Sequence, residues 1–275
     1  MKSRRAAHRA AVPSRTLQSV AIHAALVVAA LLVAFPLFWM LSASFMPRGE
    51  AAMYPPRLLP SAPTLTHYRE LFTRLNLGRS LLNSTIIAAL STLVSLLFNS
   101  MAGYAFAKLR FAGRERLFGV MLALLVLPAQ VGMLPLFLML KQMGLVNTYW
   151  GVVIPMMASI FGIFLIRQFM LAIPNELLEA ARVDGASEWT IYWRVVLPLS
   201  APVLVTLAIF TFMASWNDFM WPLIILTDND RYTLPVSIAN LVGEHVQDLE
   251  LMMASSVLTV LPVLILFLFL QRYYV

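Results

Sequence analysis

Residues 174–202 read PNELLEAARVDGASEWTIYWRVVLPLSAP, and this polar interruption of an apolar chain decides the fold. Pro174 suits the first position of a helix, and Glu176 and Glu179 put negative charge in its early turns, where the dipole favours it. Asp184-Gly185 breaks that helix, because Gly185 can take the positive φ that closes it. Ser187 then serves as the cap of a second helix, its hydroxyl accepting from freed backbone N–H groups. Trp189, Tyr192, Trp193 and Val196 fall at i, i+3, i+4 and i+7, on one side of that second helix, and Pro198 limits its extent. The expected unit is helix, glycine break, helix. Ala180, Ala181 and Gly185 keep part of its surface low enough for another protein to approach closely, while Glu179, Arg182 and Asp184 ring it with charge. It reads as a cytoplasmic docking element; the competing reading is an amphipathic hairpin lying on a membrane surface for structural reasons alone.

With 60% hydrophobic and 12% charged residues in 275, the chain is too apolar for an ordinary soluble domain. Its net charge of +7 does not point to nucleic acid, because the basic residues sit in short connections between apolar runs rather than along one soluble face. Without cysteine there is no disulfide framework, thiolate metal site or cysteine nucleophile.

Apolar runs at about 20–45, 81–107, 117–140, 150–171, 202–226 and 251–270 are each close to or above the ~20 residues a helix needs to cross the hydrocarbon. Residues 1–19 form a basic cytoplasmic amino terminus with Lys2, Arg4, Arg5, Arg9 and Arg15, and the first run is too long for a cleaved signal segment. Residues 20–275 are then one transmembrane domain, with both termini inside and the docking loop at 174–200. The positive-inside rule supports that orientation: Lys108, Arg110, Arg114 and Arg116 in the second connection, Arg167, Arg182 and Arg194 around the docking loop, and Arg272 all fall inside. Residues 46–79, proline-rich and polar, form a long outer loop with a surface helix at most; its arginines dilute the contrast, since long loops cross with less regard to charge.

The docking stretch resembles the signature loop of the inner-membrane permeases of bacterial binding-protein-dependent ABC importers. That loop runs Glu-Ala-Ala, three residues, Gly, nine residues, Ile, any residue, Leu-Pro; here it is Glu179-Ala180-Ala181, Gly185, Val195 in the Ile place, and Leu197-Pro198. The likeness extends through most of the chain, including 99–107 (NSMAGYAFA), Arg167-Gln168-Phe169 and 215–223 (SWNDFMWPL), and is closest to the carbohydrate-uptake branch, in its six-span subunit similar to the maltose permease partner. The resemblance implies an all-α membrane protein of the type I importer permease fold, non-catalytic and without a cofactor of its own. It further implies a heterodimer with a second permease, two copies of an ABC ATPase that bind the ATP, and a periplasmic or lipoprotein substrate-binding protein delivering a sugar; no nucleic acid is involved. The coupling residues would be Glu179, Ala180, Ala181, Asp184 and Gly185, with Trp189, Tyr192 and Trp193 setting the loop's shape. Relatives continue past the last span with a short glycine-containing polar tail, whereas this sequence stops at Val275. The chain has no Gly-x-x-x-x-Gly-Lys-Ser/Thr phosphate loop, so energy has to come from a separate subunit.

Asp218 is the most informative charge in the spans. Lying 16 residues beyond Pro202, it is expected ~24 Å along the fifth helix. One reading makes Trp216, Asn217 and Asp218 part of a sugar route or outer gate; the other has them tying the fifth helix to a neighbour. Asn83, Asn99 and Gln130 read as interhelical hydrogen-bond partners, and the prolines inside the runs as kinks. His8, His23, His67 and His245 are scattered without metal-ligand spacing, so no metal is expected. An intramembrane protease would need a base or ligand cluster that the spans lack. A stand-alone secondary carrier would need several ionisable groups at mid-depth and would leave the docking loop without a task. A polyol or glycerol-phosphate importer would leave much the same chain.

Overall fold

The computed structural model describes residues 13–73, 76–244 and 248–270. Lys2, Arg4, Arg5 and Arg9, together with Arg74, His245, Arg272 and the chain end at Val275, lie outside the described residues. In chain order the helices are α1 (Pro13–Ala43), α2 (Thr66–Thr73), α3 (Leu77–Lys108), α4 (Arg114–Leu124), α5 (Met133–Gln142), α6 (Tyr149–Val153) and α7 (Ile160–Leu171). They continue with α8 (Asn175–Val183), α9 (Glu188–Ile191), a π turn over Tyr192–Val196, α10 (Leu197–Leu199), α11 (Ala201–Trp216), α12 (Met220–Ile225), α13 (Leu234–Glu244) and α14 (Leu249–Leu270). Among the described residues there is no strand.

Three stretches, Gln18–Ala43, Leu77–Lys108 and Leu249–Phe269, are unbroken helices long and apolar enough to cross a bilayer, and three bent pairs raise the number to 6 if each pair is one span. The expected spans 117–140 and 150–171 are each built from a bent pair, the docking segment turns sharply into α11, and the apolar run 202–226 is divided after Trp216. α4 meets the Ala129–Gln142 segment at 99°, Tyr149–Met156 meets α7 at 44°, and Glu188–Leu199 meets α11 at 78°. The breaks fall where local chemistry frees the backbone. Pro128 is extended (φ −60°, ψ 130°) and opens a short 3₁₀ turn. Ser159 is extended too, and its hydroxyl accepts from Gly162 N–H at the start of α7. Pro202 lies in the first turn of α11, where a missing N–H costs least.

The chain divides into two compact units, Met1–Arg69 with Gln247–Leu258, and Glu70–Val246 with Thr259–Val275. In the first unit, Ala43, Met46 and Ala51 pack against Trp39, Leu249 and Met253. The segment read from sequence as a plain outer loop is tied down by buried carboxylates. Glu50, 4% exposed, accepts from Ser61 N–H and Arg57 Nη1, both at 3.1 Å. Glu250 accepts from Ala51 N–H at 2.7 Å, and Arg48 pairs with Asp248 at 2.8 Å. Burial pushes the Glu50 carboxyl up, but the bonds from Ser61 and Arg57 outweigh it and hold the group below the ordinary carboxylate value.

The second unit is built on α3, which packs along α7 and α11. Close approach to α7 is set by Gly103: a Cβ there would stand 2.5 Å from Ile166 Cγ2. Asn99, fully buried, donates to Ser95 O at 2.7 Å, and its Oδ1 accepts from Ser159 N–H at 2.9 Å. That bond anchors the bend before α7 to α3. Farther along, Asn83 donates to Asp230 O and Tyr232 O and accepts from Tyr149 Oη, so both amides join segments as the sequence reading expects. Gln130 is instead exposed, in the turn between α4 and α5.

Candidate functional site: the helix–glycine–helix loop

Residues 174–200 fold into the expected helix, break and helix, with informative departures. Pro174 is extended (φ −57°, ψ 136°) and stands just outside α8, which starts at Asn175. Gly185 has φ +83°, and the N–H groups of Ala186 and Gly185 bond to Ala181 O and Arg182 O, both at 3.0 Å, closing α8 in a Schellman motif. Ser187 Oγ accepts from Thr190 N–H at 3.2 Å and caps α9.

The inner side of this unit is buried. Leu178, Ile191, Tyr192 and Val196 join Tyr104 of α3 and Ile166 and Met170 of α7 in one cluster, and Ala181 packs against it. Ala181 thus turns inward rather than lowering the outer surface; Ala180, Glu179, Asp184 and Gly185 are exposed as expected. Trp189, Tyr192 and Trp193 form one aromatic cluster with centroids 5.1–5.9 Å apart, yet they do not share a single face. Tyr192 and Val196 are buried, whereas Trp189 and Trp193 are exposed. The cause is the π turn, in which Leu197 N–H reaches back to Tyr192 O. Pro198 has no N–H to give Arg194 O, so the helix widens just before it and residues four apart no longer stack.

Three polar ties fasten the loop to α3, and none of their long-range pairings was visible in the sequence. Glu188 takes Tyr104 Oη–H on one carboxylate oxygen at 2.6 Å and Arg182 Nε–H on the other at 2.7 Å. The Tyr192 and Ser100 hydroxyls share a hydrogen bond of 2.7 Å. Lys108 Nζ donates to Ile173 O at 2.6 Å and to Asn175 Oδ1 at 2.9 Å. The Arg182 and Tyr104 bonds hold the Glu188 carboxyl below its ordinary value, and Glu188 in turn raises Arg182. The only local hint of Glu188 was its place after the Ser187 cap, where an acidic first-turn residue is ordinary. Outward, Leu177, Val183, Trp189 and Trp193 expose apolar surface; Val183 is 87% exposed and Trp189 58%. These exposed apolar side chains and the exposed Glu179, Arg182 and Asp184 stand on a base bonded to α3.

The other candidate residues lie where α11 ends. Trp216 is 1% exposed, stacks on Phe212 and donates Nε1–H to Thr259 O at 3.0 Å. Asp218 is not within a helix as expected. Asn217 Nδ2 bonds back to Met213 O at 2.8 Å and the helix stops, because a side-chain amide competes with the backbone there. Asp218 then accepts from Trp221 N–H at 3.4 Å, two positions before α12 begins. Of the three, only Asn217 is exposed. No group of His, Asp and Glu able to hold a metal ion occurs among the described residues.

Comparison with known proteins follows the same lines. The sequence pattern of the family described as binding-protein-dependent transport system inner membrane component matches residues 99–275. An arabinooligosaccharide transport system permease of Halalkalibacterium halodurans is 39% identical over 90% of this chain and 89% of its own. An sn-glycerol-3-phosphate transport system permease of Pectobacterium atrosepticum is 32% identical over 92% of this chain and 93% of its own. Among solved structures, a bacterial ABC transporter that imports the acidic polysaccharide alginate superposes with a TM-score of 0.83 at 25% identity, covering 96% of this chain and 98% of that one. The loop, the broken spans and these likenesses converge: the chain belongs to the inner-membrane components of binding-protein-dependent transport systems.

Proposed function

We propose that this chain is one permease of an ATP-driven sugar importer, paired with a second permease and seated on two ATPase subunits, with its termini and the 174–200 loop on the cytoplasmic side. The observation that carries the reading is the double-sided build of the loop: an outer surface of Glu179, Ala180, Val183, Asp184, Gly185 and Trp189 left exposed, over an inner surface bonded to α3. Closure of the ATPases on ATP presses the outer surface. Glu188 and Tyr192 pass the displacement to Tyr104 and Ser100, and α3 carries it to α7 and α11, so that the spans exchange inward for outward access. The break after Trp216 is the place we assign to the sugar route or outer gate. Asn217 and Asp218 meet the solute or move with the gate, and Trp216 holds α11 to α14. A binding protein delivers the solute from outside.

A sugar is the class favoured by the arabinooligosaccharide and alginate relatives; the glycerol-3-phosphate relative keeps a phosphorylated polyol as the second reading. The experiment is affinity isolation of the chain from its native membrane in mild detergent. A second permease and a P-loop ATPase should copurify, with hydrolysis rising when a sugar-loaded binding protein is added. Recovery of this chain alone, transporting in liposomes without ATP, would leave a stand-alone carrier as the better reading. Within the isolated assembly, Glu179→Lys reverses charge on the docking surface and is expected to abolish uptake while the subunit stays inserted; unimpaired uptake by an assembled variant refutes the coupling assignment.

A further inference from the structure

At the end of α3 opposite the loop lies a cavity of about 550 Å³, lined among others by Arg79, Trp150, Asp228, Asp230, Arg231 and Leu90. Arg79 and Leu90 sit on one helix about 16 Å apart in rise, so the cavity is a groove running from a charged rim into the apolar zone. Residues 79, 82, 86, 90 and 93 follow one another at helical spacings of three and four and share a face. Leu82, Ile86 and Leu93 of that row are exposed. Trp150, also exposed, lies in the first turn of α6 at the rim, the usual station of an indole at a membrane–water boundary.

The rim is preformed. Asn83 holds the 230–232 backbone through Asp230 O and Tyr232 O at 2.9 and 3.0 Å, and Asn147 Oδ1 accepts from Thr227 N–H and Asp228 N–H. Arg79 Nε donates to Asp230 O at 3.4 Å and Arg231 Nη1 to Asn147 O, which leaves each guanidinium further donors. Among the described residues no ion pair joins these two arginines to Asp228 or Asp230. With two cations and two carboxylates the rim is neutral overall but divided. A simple anion gains at the arginines and loses at the carboxylates, whereas a group carrying both a phosphate and an ammonium satisfies both sets.

We propose that this groove binds one zwitterionic glycerophospholipid of the phosphatidylethanolamine type. Its phosphate lies on Arg79 and Arg231, its ammonium on Asp228 and Asp230, and an acyl chain follows the Leu82–Leu93 row of α3. This assignment does not depend on which solute is transported. The test is native mass spectrometry of the intact assembly in nanodiscs made from equal parts phosphatidylethanolamine and phosphatidylglycerol. One phosphatidylethanolamine per copy of this chain should survive detergent exchange. Arg79→Ala with Arg231→Ala removes both phosphate contacts and should lower the retained fraction at least about tenfold. Asp228→Asn with Asp230→Asn, which keeps both side chains' size, should turn the preference toward phosphatidylglycerol. Equal retention of both lipids by the unaltered protein, displacement by free O-phosphoethanolamine as readily as by lipid, or a cross-link from Trp150→Cys to the second permease in place of lipid would each overturn the proposal.

Discussion

Removing the Glu188 carboxylate tests how firmly the docking loop is bonded to α3. The carboxylate serves two donors in unequal surroundings. Its pair with Arg182 is open to water, with side chains 46% and 40% exposed, and contributes only about 0.2–1 kcal/mol. Its bond with Tyr104 is different, because that residue is only 5% exposed and its ring is held in the cluster between α3 and the loop. Orphaning a buried hydroxyl costs about 1–3 kcal/mol, so Glu188→Ala should loosen the loop by ~2 kcal/mol in all. At that magnitude the undocked population rises roughly thirtyfold. Tyr104→Phe removes the donor but leaves a carboxylate that water can solvate, and should cost about 1 kcal/mol. Combined, the two changes should cost no more than Glu188→Ala alone, because phenylalanine leaves nothing unsatisfied. Amide hydrogen exchange over residues 186–196, measured on the assembly in nanodiscs, reads these openings directly. Strictly additive costs, or unchanged exchange in Glu188→Ala, would refute the two-donor account; uptake per ATP hydrolysed should fall in the same order as the loop loosens.

Gly103→Ala should destabilise the α3–α7 contact by about 1–3 kcal/mol, since the added Cβ meets Ile166 at 2.5 Å; thermal aggregation of the purified subunit reports it. Trp216→Phe should lower thermal stability by about 0.5–1.5 kcal/mol through loss of the Thr259 bond yet leave the apparent affinity for solute unchanged, whereas weakened solute affinity at unaltered stability would move Trp216 into the route. The depressed Glu50 carboxyl contributes stability that is fully present above its ordinary value of 4.5 and is lost as pH falls through its lower folded value. Exchange of the Ser61 amide, corrected for the intrinsic rate, should therefore be flat from neutrality down to about 4.5, rise as the pH falls from there to the lower folded value, and level off below it.

Much of the loop was legible because its chemistry is local. Gly185 and Ser187 work within a few residues of themselves, and glycine after a charged helix end followed by a serine cap has few other meanings. Legibility failed where a distant partner or the solvent decides. Glu188 and Tyr104 are 84 positions apart, and nothing near either points to the other. Hydropathy saw one apolar run from 202 to 226 because it cannot register that Asn217 turns its amide back on Met213 and ends the helix. Prolines marked where bends could fall but not which would, since Pro36 and Pro262 lie inside unbroken helices while Pro128 opens a 99° bend. The π turn escaped the periodicity argument for a related reason, as a period of 3.6 presupposes the bond that Pro198 cannot make. The burial of Glu50 and Glu250 was not legible either, because it depends on the backbone N–H groups gathered around each carboxylate.

Unlike its bent neighbours, α3 runs 32 residues without a break. It therefore behaves as an axle in a machine of elbows. Asn83 at one end and Tyr104 near the other are about 32 Å apart in rise, and spin labels there should keep that separation through the whole nucleotide cycle. Labels set across the bends at 128, 159 and 200 should change theirs. A torque applied at the docking loop would reach the far rim undiminished, while the elbows convert it into opening and closing.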